Sequence, residues 1–343
     1  MTAIEFLIRA DSSKMFLIRN HILEGTTSGI GFVAAKTVAK HGGEVLLLNR
    51  PSQRSIASLK KLRVAVPGGK FVPIDCDLQD FASVRKAVKE IKAKGYKSIY
   101  CLSNNAGIMA MPEKRTKLDG FDQQIQTNYL SHFLLTRELF PLIVSASKEY
   151  GDARIVQHSS TARHMTHEKG LKEKYFLKHD SDCALGGNHV GWFLQGGPWY
   201  RYHQTKLANS VFSHCLHDKI IASENDDCKN ILSLCAHPGS SDTNLLDHKK
   251  SKGFFMRRNI EPLVIFLFFQ SAADGSMGML KGMMDHRKNL VGGTLYGPKM
   301  LGPICYMRGL AVPNAAKSYE INLKAKEMLW RTSEKAIGAT FDI

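Results

Sequence analysis

Short apolar runs alternate along this chain with longer amphipathic ones. Ile18 to Leu23, Glu44-Val45-Leu46-Leu47-Leu48, Phe71-Val72-Pro73-Ile74, Ser98 to Leu102, Arg154 to Gln157 and Ile231 to Cys235 have strand length. Thr294-Leu295-Tyr296 is a candidate seventh. Between them the apolar positions recur at helical spacing. That pattern predicts helices over Phe32 to His41 (stopped by Gly42-Gly43), Phe81 to Ala93, Phe121 to Ser147 and Tyr200 to Ile220. Strands joined by helical crossovers predict an α/β fold: a doubly wound parallel sheet of about seven strands with helices on both faces. No linker divides the chain, so residues 18–343 read as one domain behind an N-terminal lead, 1–17. The lead holds a small repeat, Phe6-Leu7-Ile8-Arg9, echoed by Phe16-Leu17-Ile18-Arg19. The second copy begins the first strand; the first is an appended or disordered lead. The largest irregular stretch is an insertion at about 161–199, with Gly186-Gly187, Gly191 and Gly196-Gly197-Pro198. A loop this long in a compact domain is usually functional or disordered.

Composition narrows the classes. The chain has 343 residues, 43% hydrophobic and 23% charged, which suits a soluble globular protein with a full core. Its seven cysteines are scattered with no C-x-x-C pair, so neither a disulfide framework nor a zinc knuckle is indicated. His164 and His167 lie outside any H-E-x-x-H pattern, and no metal site is expected. The formal charge of +16 suits an anionic ligand such as a phosphorylated cofactor, nucleic acid or an anionic membrane. The lysines are spread out and no aromatic-basic array appears, so nucleic acid is not an expected partner. The longest apolar run, Leu263 to Phe269, is far below the ~18 residues of a membrane span. It follows Lys249-Lys250-Ser251-Lys252 and Arg257-Arg258, and reads as a buried core helix ahead of an interfacial anchor. The N-terminus resembles neither a signal nor a standard transit peptide, so a cytoplasmic location is expected. Peripheral membrane contact and oligomerisation both stay open.

Two local patterns carry chemistry. Gly25-Thr26-Thr27-Ser28-Gly29-Ile30-Gly31 falls between the first strand and first helix. Glycines there let a pyrophosphate approach the backbone, and the helix N-terminus supplies N–H groups and a positive dipole end. Arg50, with Arg54 soon after, ends the second strand, where an arginine accommodates a 2′-phosphate and a carboxylate would select the free hydroxyl. NADP(H) is therefore preferred over NAD(H). Further on, Tyr202 and Lys206 are spaced to share a helix face. An ammonium beside a phenol favours the phenolate, giving an acid/base group suited to a carbonyl or an alcohol.

In this order the pieces resemble the short-chain dehydrogenase/reductase family, and more closely its retinol-dehydrogenase-like and WW-domain-oxidoreductase-like branch. Gly25-x-x-x-Gly29-x-Gly31 matches the cofactor turn, with Ser28 and Ile30 inside it. Asp77-Leu78 matches the adenine contact, and Asn104-Asn105-Ala106-Gly107 the N-N-A-G element. Asn128, Ser160, Tyr202 and Lys206 match the catalytic tetrad. His237-Pro238-Gly239 with Thr243 resembles the segment near the nicotinamide and phosphates, and Leu329-Trp330-Arg331-Thr332-Ser333-Glu334 the branch's C-terminal L-W-x-x-S-E. The resemblance implies a Rossmann-type fold and hydride transfer on a small lipophilic ketone, aldehyde or alcohol. It implies that Tyr202 moves the proton, Lys206 lowers the phenol's pKa and binds the nicotinamide ribose, Ser160 binds the carbonyl oxygen, and Asn128 holds a water leading to Lys206.

Two departures stand out. Glu24 occupies the family's usual threonine position. Facing the pyrophosphate, it would be repelled by about a few kcal/mol; turned towards Asn104 or Asn105, it would accept a hydrogen bond. The first case, together with the N-terminal repeat, motivates an alternative reading as an NADP(H)-binding scaffold or sensor with weak or no catalysis. The insertion between Ser160 and Tyr202 is the second departure. It is expected over the active site, with Trp192, Phe193, Leu194 and Trp199 either lining an apolar pocket or anchoring the loop.

Overall fold

Successive strand side chains point to opposite sheet faces, and in this chain both faces are buried. In β1 (Asn20–Glu24) and β2 (Glu44–Asn49), Ile22, Leu46 and Leu48 join one apolar cluster, while Leu23, Val45 and Leu47 join another. Burial on both sides is why these strands read as unbroken apolar runs rather than alternating ones. The computed structural model describes residues 19–167, 169–191, 194–239, 271–301 and 306–343.

The remaining strands are β3 (Phe71–Asp75), β4 (Cys101–Asn104), β5 (Ala153–His158), β6 (Ile231–Ala236), β7 (Leu295–Leu301) and β8 (Tyr306–Asn314). They form one sheet in the order β3-β2-β1-β4-β5-β6-β7-β8. All neighbours pair parallel except β7 with β8. The order reverses between β1 and β4, which opens a crevice at the carboxyl ends of those strands. One face carries α1 (Gly29–Lys40), α2 (Gln53–Ala65) and α6 (Met277–Met284); the other carries α3 (Phe81–Ala93), α4 (Ser131–Tyr150), α5 (Gly197–Ala222) and α7 (Leu323–Ile337).

The architecture is the expected doubly wound sheet with an eighth, antiparallel strand added. Four of these elements were not anticipated. α2 buries only Ser58 and Leu62, so its apolar pattern is faint, although a Ser52/Ser55 capping box starts it. α6, β8 and α7 are the others. The expected helix from Phe121 to Ser147 is interrupted: a short helix at Gln123–Ile125 passes through a π turn at Gln126–Leu130 before α4 begins.

The described residues of the insertion pack against the body of the domain. Tyr175, Phe176 and Leu185 belong to the core cluster, and a bridge between Val190 and Gly196 closes a hairpin. No helix among the described residues is long and apolar enough to cross a membrane. The N-terminal repeat and the run Leu263 to Phe269 lie outside the described residues.

Candidate active site

β1 delivers the chain into a turn that only glycine fits. Gly25 and Gly29 have φ of +66° and +57°. A Cβ on Gly25 would sit 2.9 Å from the Cα of Ala106, and one on Gly31 would sit 2.4 Å from the carbonyl oxygen of Gly25. The turn is thus closed on itself and against the loop after β4. Ser28 is the N-cap of α1, and the first turn, with Ile30 and Gly31, carries no acidic side chain. Its amides and dipole therefore present a positive end to an anion. Asn49 ties the turn to β2: it accepts from the Thr26 amide at 3.0 Å and donates to the Thr26 hydroxyl at 2.7 Å. Arg50 follows, exposed, and Arg54 on α2 donates to the Ser28 hydroxyl. Arg50 and Arg54 place positive charge at the corner where the adenosine ribose belongs in this fold. This cradle fits a dinucleotide phosphate.

Glu24 resolves differently from either expectation. Its carboxylate is 1% exposed and turned inward, where Oε2 accepts from the Ala106 amide at 3.1 Å and contacts His132 Nε2 at 2.9 Å. Asn105 does interact, but through its own amide, which donates to the Glu24 carbonyl at 2.9 Å. Glu24 therefore props the Asn105-Ala106-Gly107 loop.

Asp77 and Leu78 follow β3. Asp77 accepts from the Gln79 amide at 3.0 Å, and the Leu78 carbonyl accepts from the Ser131 hydroxyl at 2.6 Å. Asn128 lies in the π turn. Its amide group donates to the Ile108 carbonyl at 2.8 Å and to the Thr205 hydroxyl at 3.1 Å, and accepts from the Ile108 amide at 2.8 Å. That leaves one lone pair on Oδ1 for a further partner. Gly107 lies between: a Cβ there would be 3.4 Å from Asn128 Oδ1 and 3.5 Å from Lys206 Nζ.

β5 ends at a pair of serines with different tasks. The Ser159 hydroxyl donates to the carbonyl of Lys206 at 2.6 Å, whereas the Ser160 hydroxyl is the partner of the Tyr202 phenol and accepts from the Ala162 amide at 3.2 Å. Lys206 donates to the His158 carbonyl at 2.9 Å, and its Nζ lies 5.7 Å from the centre of the Tyr202 ring. Burial pushes Tyr202 up to about 12, with the Ser160 hydrogen bond opposing it. Burial also pulls Lys206 down to about 8 against the opposing charges of Cys235 and Glu24. The expected lowering of the phenol's pKa by the ammonium is not seen: desolvation dominates, and the influence opposing it is Ser160.

His237 is buried and pulled down to about 3, chiefly by desolvation, so it is neutral and its Nδ1 accepts from the Gly239 amide at 3.1 Å. Pro238 and Gly239 continue from β6 at the edge of the site; Thr243 lies outside the described residues, as do Trp192 and Phe193.

Two supports escaped the sequence reading. Arg163, 3% exposed, donates to the Ser160 carbonyl at 3.1 Å and pairs with Glu320 at 2.9 Å. Ser210 of α5 donates to the same Glu320 oxygen at 2.7 Å. Arg201 and Glu113 form a second buried pair at 3.1 Å. No motif joins partners so far apart in sequence; only the position of Arg201 beside Tyr202 was a signal.

Comparison with known proteins agrees with this geometry. A family model described as short chain dehydrogenase matches residues 20–171. The chain is 32% identical over 248 residues to the short-chain dehydrogenase/reductase drtF of Aspergillus calidoustus, covering 71% of this chain and 72% of that one. It is 28% identical over 279 residues to the polyprenol dehydrogenase of Homo sapiens, covering 81% and 76% respectively. Among solved structures, an uncharacterized protein from Mycobacterium paratuberculosis superposes with a TM-score of 0.69 at 27% identity, covering 96% of each chain.

Proposed function

Since this chain belongs to the short-chain dehydrogenase/reductase family of oxidoreductases, we propose that it interconverts a carbonyl and an alcohol on a lipophilic compound, using NADP(H). The observation that carries this reading is the convergence of Ser160, Tyr202 and Lys206 beside the glycine turn, at the carboxyl ends of the strands. Gly25, Ser28, Gly29, Ile30 and Gly31 hold the pyrophosphate. Arg50 and Arg54 receive the 2′-phosphate, and Asp77 and Leu78 flank the adenine. Asn105, Ala106, Gly107, Pro238 and Gly239 border the nicotinamide half. The dinucleotide supplies the hydride when bound.

The chain's own part is to place and move a proton. Ser160 donates a hydrogen bond to the substrate oxygen as negative charge develops there. Tyr202, protonated at neutral pH, gives its phenolic proton to that oxygen in the reducing direction. Lys206 stabilises the phenolate left behind and holds the nicotinamide ribose, and Asn128 keeps a water at its remaining lone pair for proton resupply. A similar protein is named for its action on a polyprenol, a long apolar alcohol, which supports a lipophilic substrate. The scaffold reading rested on Glu24 and on the N-terminal repeat; the repeat lies outside the described residues, and Glu24 is turned to Ala106 and His132 rather than to the pyrophosphate.

Tyr202→Phe tests the proposal. NADPH consumption with a panel of carbonyl compounds should fall by about a hundredfold or more, while NADPH binding followed by fluorescence stays near wild type. Unchanged turnover in that variant would overturn the mechanism.

A further inference from the structure

Tyr202 shares its helix face with two other side chains. Trp199 precedes it by three residues and Lys206 follows it by four, and positions so spaced form one stripe along an α-helix. Lys206 faces His158 and Gly107, the dinucleotide side. Trp199 lies beyond the phenol in the opposite direction, roughly 4.5 Å along the axis. Its indole meets the Tyr202 ring edge-on, with centroids 6.2 Å apart, and is only half-buried. The stripe therefore runs from the dinucleotide side, through the proton donor, to a half-buried indole whose centroid also lies 6.2 Å from that of the His203 ring.

A buried latch fixes that end of the helix. The Arg201 guanidinium, 0% exposed, donates to Glu113 at 3.1 Å, to the Gly187 carbonyl at 2.9 Å and to the Met111 carbonyl at 3.1 Å, and lies 3.2 Å from Asp122. Glu113 in turn accepts from the amides of Leu185 and Gly187, each at 2.7 Å. The backbones touch as well. A Cβ on Gly197 would come within 2.3 Å of the Gly187 carbonyl oxygen and 2.4 Å of that of Gly186. One arginine thus joins the insertion, the segment after β4 and the start of α5, next in sequence to the proton donor.

We propose that Trp199 is a specificity-determining residue whose indole takes a flat apolar group bonded to the reacting carbonyl carbon, and that Arg201 and Glu113 are the positioning residues that hold it beside Tyr202. The inference rests on the carbonyl–alcohol reading above and extends it by naming what flanks the carbonyl. An indole presents a large, rigid apolar surface at low entropic cost. The latch keeps that surface in place before substrate arrives, so little ordering is left for binding. Its effect falls on the substrate's apolar part, because the Arg201 guanidinium is engaged with Glu113, Gly187, Met111 and Asp122 rather than with Ser160 or Lys206.

The test uses the full chain with NADPH and two carbonyl probes, flat 9,10-phenanthrenequinone and compact methylglyoxal. For Trp199→Ala, the ratio of kcat/KM for the quinone to that for methylglyoxal should drop by on the order of tenfold, through KM for the quinone. Trp199→Phe should recover most of it. Arg201→Met should move the ratio in the same direction; if that variant does not fold, Glu113→Gln is measured in its place. An unchanged ratio in Trp199→Ala, while wild type reduces both probes, overturns the role of Trp199 and leaves the carbonyl–alcohol reading standing. Equal losses on both probes in the latch variant overturn the positioning role. Wild type that oxidises NADPH with neither probe overturns the reading itself, and this proposal with it.

Discussion

A carboxylate with 1% exposure needs donors, and Glu24 has them in the Ala106 amide and His132 Nε2. The same oxygen serves both, so the side chain joins β1, the loop after β4 and α4 at one atom. Glu24→Ala would deprive both donors of this acceptor, at up to about 1–3 kcal/mol for each group left unsatisfied. We expect a lower Tm and weaker NADPH binding for Glu24→Ala, with Glu24→Gln close to wild type because its carbonyl can accept from both donors. A Glu24→Ala protein as stable as wild type would show that the prop is dispensable. Lys206 allows a second expectation. Its folded pKa is lowered to about 8, so it is ammonium below that value and neutral above it. If the ammonium is the working form, kcat/KM for NADPH-dependent reduction holds below about pH 8 and falls as pH rises through it, since kcat/KM reports the free enzyme. A pH profile flat to pH 10 would remove that role. The Tyr202/Lys206 relation was legible because helical spacing alone defines it. The Glu24–His132 contact was not, because its partners stand 108 positions apart and no local pattern links them.

Among the strands, legibility followed burial; among the helices it did not, since α6 is buried at six of its eight positions and was not anticipated. β2 and β6 lie in the sheet interior, every residue of β6 is buried, and both stood out as apolar runs. α2 buries two side chains of thirteen, and its sequence gave little periodicity to detect. The helix expected over Phe121 to Ser147 was right in extent and wrong in regularity. The π turn at Gln126–Leu130 lets Asn128 face Ile108 and Thr205 rather than follow the helical register. Nothing in the apolar spacing marks such a turn. The insertion was legible as an insertion, and its glycines as turns. That Gly186, Gly187 and Gly197 would pack against one another depended on where α5 begins, and Pro198 at its first turn was the only sequence hint.

At the scale of the whole molecule, the charge of +16 is spread along the chain, and one small part of it has a defined task in the proposed chemistry. Arg50 and Arg54 stand at the end of β2 and on α2, beside Ser28. The double variant Arg50→Ala/Arg54→Ala should raise KM for NADPH by about tenfold or more while leaving KM for NADH nearly unchanged, since only the first carries a 2′-phosphate. Equal effects on the two cofactors would assign both arginines to the general surface. The sheet order places everything else: the glycine turn comes from the first strands, and the serine, tyrosine and lysine from beyond the reversal. Arg163 adds a dependence in time. It holds the carbonyl of Ser160, and its own carboxylate partner, Glu320, stands 157 residues later. During synthesis the glycine turn gains its own partners, Asn49 and Ala106, once the loop after β4 has emerged. The serine loop gains its anchor only after residue 320 has left the ribosome. The two halves of the site are therefore completed at different points in the chain's emergence, some two hundred residues apart.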